Sequence, residues 1–441
     1  MSPGRPAAGG ESCKQESFCI TGMLPVLVCK KEPCYNMRSL QKYAETESVG
    51  DKMSNKRPKK KAVKNLILWK ADYYDYNLIA VIVLLICFGL VMLYSTSSYM
   101  AKINYGSDMF YFKKQALISV ACIAMALVIS LFDYHILIPF TTVVYVASLG
   151  LMALVRTPLG HNSHGATRWL YIGPVNFQPA EVAKIAAIMM MSYMIVSMGR
   201  RVKTLKACMI LGCIGGALAL GAYILTDNLS TAIIIFGITV GMIFIAHPKL
   251  RIFLILGGAV LVVAVVGVSI LAASMDNSDN FRLQRILVWL DPEKYSDNGG
   301  YQTLQALYAI GSGGFFGRGL GNSIQKLGSI PEAQNDMIFS IICEELGIFG
   351  GILVLVLFAY LLYRLFFIAQ NAPDLYGSML VSGVFIHIAL QVILNTAVVL
   401  NLLPNTGVTL PFISYGGTSI LFLMMEMGIA LSVSRRIRFQ D

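Results

Sequence analysis

Asp336 is the residue whose surroundings most clearly call for a chemical explanation. It closes a polar, glycine-rich stretch that begins at Gly299, and apolar residues follow it from Met337 onward. An ionisable group that enters a membrane is costly, and by default it marks a functional site. Glu344 and Glu345 follow in the same apolar segment. On a helix continued from Asp336 they would lie about 80° and about 180° around the axis, so only Glu344 is expected to share its neighbourhood.

A buried Glu–Lys pair is predicted in the sequence FQPAEVAK, residues 177–184. Pro179 suits the first turn of a helix, which places Glu181 and Lys184 about one turn inside the membrane. Three positions apart, the two side chains share one face of the helix. Two interpretations stay open. The pair either only holds the helix in place, or Lys184 contacts an anionic headgroup such as a pyrophosphate.

Two further candidates lie in the sequence GATRW, residues 165–169. The guanidinium of Arg168 offers a fork of donors that suits phosphate oxygens. Trp169 either anchors its loop at the membrane interface or forms a wall against a sugar or lipid.

Arg282 and Arg285 begin a short amphipathic pattern that Ile286 and Trp289 continue. The pattern predicts a helix that lies on the membrane surface. Two arginines beside apolar residues are either solvated or hold a lipid phosphate.

Glycines recur between residues 311 and 322, which raises the question of a nucleotide site. No strand precedes this run and no Gly-Lys-Ser/Thr sequence follows it. Both the P-loop and the dinucleotide-binding motif are therefore excluded.

The composition indicates that membrane helices position these residues. Of the 441 residues, 56% are hydrophobic and 13% are charged, and the mean hydropathy is +0.66. Soluble domains contain about 25% charged residues, so the chain is predicted to be a polytopic helical membrane protein of the all-α class. The net charge of +11 lies largely in the amino-terminal region and short loops, which indicates membrane topology and no nucleic-acid partner. The nine cysteines include no CxxC pair. The five in apolar segments are interpreted as small core residues, and a metal site among the four in the amino-terminal tail stays open as an alternative.

Ten apolar segments are about long enough to cross a bilayer. They lie near residues 77–97, 114–132, 135–155, 180–198, 207–225, 230–246, 250–273, 337–367, 376–400 and 411–433. The predicted organisation is a basic, mostly disordered tail (1–70) and a ten-helix membrane domain (71–441). Its large extracellular loop, residues 274–336, joins the seventh and eighth helices, and residues 156–179 form a second external loop.

Basic residues in the short loops predict the orientation. They concentrate in residues 200–206, 249–251 and 435–438, which all fall on one side if the amino terminus is cytoplasmic. The carboxyl terminus then also lies in the cytoplasm of a plasma-membrane protein. The polar candidates lie near the opposite, extracytoplasmic surface.

Four sequence patterns carry a resemblance to a known family. They are GATRW (165–169), FQPAEVAK (177–184), IPEAQNDMIFSIICEELG (330–347) and PNTGVTLPFISYGGTS (404–419). In this order they resemble the SEDS family (shape, elongation, division and sporulation), whose members are FtsW, RodA and SpoVE. The chain departs from the family pattern at Ala180, where serine is usual, and at Gln334-Asn335, where His-Thr is usual. The residues after Gly321 favour the division type, FtsW.

The resemblance implies a peptidoglycan glycosyltransferase that polymerises lipid II on the outer face of the membrane. Asp336 is then predicted to be the general base for an inverting transfer. The other predicted substrate-binding residues are Arg168, Trp169, Glu181, Lys184, Arg282 and Gln334. The implied partners are lipid II, the growing glycan strand, a class B penicillin-binding transpeptidase and other divisome or elongasome proteins. No carboxylate cluster demands a metal cofactor, although a divalent cation could assist.

Two other classes of protein are weighed against this one. A lipid II flippase would need polar groups that serve both membrane faces, often in repeated halves, and the sequence shows no repeat. A scaffold that only recruits the transpeptidase would leave Asp336 and the Glu181–Lys184 pair without a purpose. Within the family, an elongation-type RodA role is the alternative to division.

Overall fold

The computed structural model of the chain describes residues 73–158, 160–163, 166–172, 175–247, 258, 281–296, 300–327 and 330–438. The predicted amino-terminal tail lies outside these residues, and so does all of the predicted seventh span except Gly258.

Long apolar helices form most of the described chain. In chain order these helices are α1 (Tyr76–Tyr105), α2 (Phe110–Leu131), α3 (Leu137–Leu154), α4 (Pro179–Met198), α5 (Leu205–Leu225), α6 (Leu229–Ala246), α7 (Phe281–Leu290), α8 (Gly300–Gly313), α9 (Ile338–Asn371), α10 (Leu375–Val399) and α11 (Gly417–Ser434). Short 3-10 turns, Tyr134–Ile136 and Gly199–Lys203, precede α3 and follow α4.

Within the described ranges, nine helices are long and apolar enough to cross a membrane. They correspond to nine of the ten predicted segments, which confirms a polytopic helical membrane protein. The short helices α7 and α8 lie in the segment that precedes α9. We call the end of the bundle at which α9 begins the Asp336 end.

Local signals place several helix termini. The Asp75 carboxylate accepts a hydrogen bond from Leu78 N at 2.9 Å and caps α1. Asn228 caps α6 in the same way, through Thr231 N at 3.0 Å. Pro179 occupies the first turn of α4, as its missing N–H predicts.

A small antiparallel sheet occupies the first predicted external loop. Its strands are β1 (Gly160–Ser163), β2 (Ala166–Ile172) and β3 (Val175–Phe177), in the order β1-β2-β3. The sequence predicted only an external loop here, because β1 is polar and shows no hydrophobic alternation. Pairing nevertheless satisfies backbone groups that an irregular loop would leave to solvent. Arg168 and Trp169 occupy successive positions of β2.

The helix α9 is interrupted at Gly347, whose φ is 71° and ψ is −170°. The chain after α8 packs against this break: Arg318 N donates to the Glu344 carbonyl at 3.0 Å, and Ile348 N donates to the Gly314 carbonyl at 2.9 Å. The sequence predicted one apolar segment here, residues 337–367, and gave no sign of the break. The break lets a neighbouring segment supply donors and acceptors that a continuous helix would use internally.

Candidate functional site

Asp336 lies in the turn immediately before α9 and is partly buried. Burial, together with the charge of Glu332, raises the pKa of its carboxyl from 3.8 to about 6. Its own backbone N–H and the nearby charge of Arg285 partly oppose this shift. A carboxylate with a pKa near 6 is ionised at neutral pH and basic enough to accept a proton, which suits a general base.

Arg285 acts on the carboxyl of Asp336, and Arg168 acts in turn on Arg285. Burial lowers the pKa of the Arg285 guanidinium, the charge of Arg168 lowers it further, and the charge of Asp336 opposes both. Arg285 Nη1 donates to the Asn405 carbonyl at 3.1 Å, and Arg168 Nη2 donates to the Asp227 carbonyl at 3.2 Å. Two guanidinium groups close enough to repel each other favour an anion between or beside them.

The turns that hold these arginines are themselves connected. Ser230 Oγ donates to the Thr406 carbonyl, which joins the start of α6 to the loop before α11. Arg156 Nη2 forms an ion pair with Asp227 Oδ2 at 3.1 Å. The hydrogen bonds therefore link β2, the α5–α6 turn and the 401–416 loop around Asp336.

Asn395, near the end of α10, positions the backbone of the site. Its Nδ2 donates to the Asp336 carbonyl at 2.8 Å and to the Val408 carbonyl at 2.7 Å. The side chain is 1% exposed. One amide thus fixes the turn that carries the carboxylate against the loop that carries Asn405.

The predicted Glu181–Lys184 pair is present and buried. Lys184 Nζ lies 2.9 Å from Glu181 Oε1, and the side chains are 3% and 8% exposed. Glu181 Oε2 is buried and has no hydrogen-bond partner in the part of the chain that the structure describes. Among the described residues, no hydrogen bond or ion pair connects this pair to Asp336.

The remaining predicted site residues, Gln334, Trp169 and Arg282, lie in three different elements of the structure. The carbonyl of Gln334 accepts a hydrogen bond from Tyr415 N at 2.9 Å, which holds the turn before α9 against the loop before α11. Trp169 is partly buried and follows Arg168 directly in β2, so the two side chains lie on opposite faces of the sheet. Arg282 lies in the first turn of α7, and its side chain lies outside the part of the chain that the structure describes.

Glu344 faces the glycine-rich segment. Both Glu344 carboxylate oxygens are engaged, one by Ser323 Oγ and the other by Ile324 N at 3.0 Å, and Arg318 Nη1 lies 3.6 Å away. Asp336 lies in a turn, so the helical angle predicted between them does not apply. No hydrogen bond or ion pair joins Glu344 to Asp336 within the described chain.

Glu345 is held by a second buried contact. Lys326 Nζ lies 2.8 Å from Glu345 Oε1, and Ser95 Oγ donates to the same carboxylate at 2.7 Å. Both carboxylates of α9 therefore fasten the segment after α8, with no direct part in the Asp336 site.

Asn395 was not predicted as a site residue, and Arg285 was left out of the predicted substrate-binding residues. Nothing local marks Asn395, because its partners lie 59 and 13 positions away in the chain. Arg285 had a signal, since it shares the amphipathic pattern with Arg282. In the described part of the chain, no group of three or more His, Cys, Asp or Glu side chains could hold a metal ion.

Comparison with known proteins gives the family. The model of the FtsW, RodA and SpoVE family, described as cell cycle proteins, matches residues 75–438. The chain is 35% identical over 375 residues to the "Probable peptidoglycan glycosyltransferase FtsW" of Geobacter sp. (strain M18), covering 84% of this chain and 99% of that one. It is 35% identical to the "Stage V sporulation protein E" of Bacillus subtilis (strain 168), covering 83% of this chain and 98% of that one.

Solved structures share the fold. One comes from a study of "polymerization and crosslinking by a peptidoglycan synthase complex" and matches with a TM-score of 0.69 and 25% identity, over 85% of this chain and all of that one. The Thermus thermophilus rod shape determining protein RodA matches with a TM-score of 0.58 and 26% identity, over 83% of this chain and 98% of that one. With the family model covering nearly all of the described chain, the protein belongs to the FtsW, RodA and SpoVE family of cell cycle proteins.

Proposed function

We propose that this protein is a peptidoglycan glycosyltransferase of the division type, which polymerises lipid II into glycan strands at the outer face of the plasma membrane. The observation that carries the proposal is Asp336 itself: a carboxyl whose pKa is raised to about 6, near the charge of Arg285, at one end of a membrane bundle. The names of the FtsW relatives support the same activity.

Asp336 acts as the general base. Its carboxylate removes the proton from the 4-hydroxyl of the acceptor GlcNAc while that oxygen attacks the anomeric carbon of the MurNAc-pyrophosphoryl-undecaprenol donor. The new C–O bond forms as the bond to the pyrophosphate breaks, and the anomeric configuration inverts. The proton ends on Asp336, and the electron pair leaves with the pyrophosphate. A positioned base contributes roughly 10²- to 10⁴-fold to such a step.

Arg168 and Arg285 stabilise the departing pyrophosphate. Negative charge grows on the leaving oxygen, and preorganised cations there lower the barrier without reorganisation. Their mutual repulsion in the absence of an anion is relieved when the anion binds. Lys184 and Arg282 remain predicted as further cations, and Trp169, Glu181 and Gln334 as substrate contacts.

The orientation follows from the charges at the two ends of the bundle. Arg200, Arg201 and Lys203 lie in the turn after α4, and Arg435 and Arg436 directly follow α11, at the end opposite Asp336. Basic residues are enriched on the cytoplasmic side. Both termini are then cytoplasmic and the site is extracytoplasmic.

The partners follow from this activity and site. A class B penicillin-binding transpeptidase cross-links the strands as they form, together with other divisome proteins. The solved peptidoglycan synthase complex with a similar fold supports this pairing.

Replacement of Asp336 tests the role of the base. Asp336→Asn removes proton acceptance but keeps the carbonyl that Asn395 binds, so the protein should fold and make no strands from lipid II. Arg285→Gln should lower kcat roughly 10²-fold through the leaving group. The matched control is Arg200→Gln at the opposite end, which should leave the rate unchanged. Strand synthesis near the wild-type rate by Asp336→Asn would remove Asp336 from the base role.

A further inference from the structure

A cavity of about 220 Å³ opens beside the turn that carries Asp336. Its walls come from the end of α1, the start of α2 and the segment that leads to Asp336. The lining residues are Thr96, Met100, Asn104, Tyr111, Lys326 and residues 330–334. An apolar cavity of about 150 Å³ can hold benzene. The larger volume here is sufficient for one saccharide ring.

Tyr111 forms an aromatic wall of this cavity. Its ring packs edge-on against Tyr415 with centroids 5.1 Å apart and against Tyr105 with centroids 5.7 Å apart. Tyr105 in turn stacks on Phe110 at 3.9 Å. A ring fixed in this way offers a rigid flat face at little cost in conformational entropy, which suits the apolar C–H face of a pyranose.

Polar groups around the cavity are available for hydrogen bonds. The side-chain amides of Asn104 and Gln334 make no hydrogen bond to any described residue, and both line the cavity. An amide presents both donors and an acceptor, so it can recognise hydroxyl and N-acetyl groups. The exposed Glu332 contributes a carboxylate at the rim.

The charge of the cavity excludes an anionic ligand. Lys326 is the positively charged residue of the cavity lining. All three of its N–H donors are engaged. The acceptors are Glu345 Oε1 at 2.8 Å, Ser95 Oγ at 3.0 Å and the Gly321 carbonyl at 2.6 Å. The carboxylate of Glu332 would repel a phosphate. A neutral, hydroxyl-bearing ring therefore suits the cavity, whereas a pyrophosphate suits the arginines.

The cavity and Asp336 share one turn of the chain. Gln334 lines the cavity, its carbonyl is held by Tyr415 N, and Asp336 follows two residues later. Glu332, at the cavity rim, is close enough to act on the carboxyl of Asp336. A ring seated in the cavity would contact the turn that carries the proposed base. Arg168 and Arg285 are not part of the cavity wall.

We infer that this cavity holds one uncharged N-acetylated hexosamine ring of the substrate, stacked on Tyr111 and hydrogen-bonded by Asn104 and Gln334. The inference rests on the proposed function, since it assigns the acceptor side of that reaction. It divides the site into a neutral sugar side on α1 and α2 and a cationic side on β2 and α7.

A binding experiment without turnover tests this assignment. The probe is soluble chitotriose, and the readout is saturation-transfer NMR on the full-length protein in nanodiscs. Wild-type and Asp336→Asn proteins should both transfer saturation to the sugar. Tyr111→Ala should abolish the transfer, and Asn104→Ala should lower it. The control is Tyr99→Ala, because Tyr99 is an exposed tyrosine of α1 outside the cavity.

Kinetics with lipid II complete the test. Asn104 is exposed, so the Asn104→Ala variant should fold normally. This variant should raise the KM roughly five-fold with little change in kcat. Tyr99→Ala, outside the cavity, should behave as wild type. Absent transfer to chitotriose, or equal transfer in wild type, Tyr111→Ala and Asn104→Ala, would overturn the inference. Tyr111-dependent sugar binding by a protein that makes no strands would overturn the proposed function and leave the cavity assignment standing.

Discussion

At the scale of single residues, the ionisation of Asp336 should set the acid side of the pH profile. The base works as a carboxylate, and its pKa is raised to about 6. We expect kcat/KM to fall about tenfold per pH unit below that value. A pH series of initial polymerisation rates would measure it, and a profile that stays flat down to pH 4 would contradict the role of Asp336.

Loss of activity at low pH should not come from unfolding through this group. A raised folded-state pKa means that the folded protein binds more protons than the unfolded chain between about pH 4 and pH 6. The contribution of Asp336 to the free energy of unfolding therefore increases as the pH falls through this window. Thermal unfolding measured at the same pH values serves as the control.

Asn395 should matter for catalysis more than for folding. Asn395→Ala removes both hydrogen bonds that fix the Asp336 turn to the 401–416 loop. A displacement of about 1 Å at a catalytic group can cost roughly 10²-fold in rate. We expect a fall of that order in kcat with a nearly unchanged KM. Asn371→Ala, which removes an asparagine–carbonyl contact at the other end of the bundle, is the matched control. Equal effects of the two variants would argue against positioning.

Residues that act through neighbours in sequence were predictable, and those that act through distant partners were not. Glu181 and Lys184 are three positions apart, so helical geometry alone brings them together. The importance of Asn395 depends on how three separate segments fold onto one another, which no local pattern encodes. The polar surroundings of Asp336 and the family resemblance predicted it as the base, but its proximity to Arg285 needed the structure.

At the scale of elements, the break in α9 should be essential for stability. A Cβ on Gly347 would lie 2.3 Å from the Phe315 carbonyl oxygen, and φ is +71°. The close contact and the positive φ both make Gly347→Ala unfavourable. The backbone strain alone costs roughly 1–3 kcal/mol. The control is Gly311→Ala, since a Cβ there meets no atom within 4 Å. We expect a clear fall in the unfolding temperature for the first variant only; similar values for both would show that the close approach is not required.

The Glu181–Lys184 pair on α4 allows its two interpretations to be separated. Lys184→Met alone leaves Glu181 buried without its cation, a loss of roughly 3–5 kcal/mol. The double variant Glu181→Gln/Lys184→Met removes both charges and should recover the unfolding temperature. Under the proposed role of Lys184, polymerisation should stay impaired in that folded double variant. Recovered activity would assign the pair to helix packing alone.

The elements themselves were foreseen unevenly. The nine membrane helices of the described residues follow from hydrophobic length, because a bilayer demands about 20 apolar residues per span. The sheet β1-β2-β3 and the break at Gly347 escaped prediction. Both arise from backbone pairing with distant segments, and the glycines at 313, 317 and 347 permit contacts whose partners the sequence does not name.

At the scale of the whole molecule, the arrangement separates chemistry from anchoring. Asp336, its arginines and the neutral cavity lie at one end of the bundle. At the other end, Arg364 Nη2 pairs with Asp75 Oδ2 at 2.6 Å, and Arg436 Nη2 pairs with Asp133 Oδ2 at 3.3 Å. A transporter would need comparable machinery facing both sides in turn. The one-sided arrangement of the described residues supports a polymerase that receives lipid II already on the outer surface.

The most direct test is polymerisation of lipid II by the purified full-length protein, with a class B transpeptidase present, compared with Asp336→Asn in the same complex. Glycan strands should form with the wild type and not with the variant, while both proteins bind the partner equally. Strand formation by the variant at the wild-type rate would contradict Asp336 as the base. No strands from either protein, together with lipid II movement across vesicle membranes, would contradict the polymerase account and favour translocation.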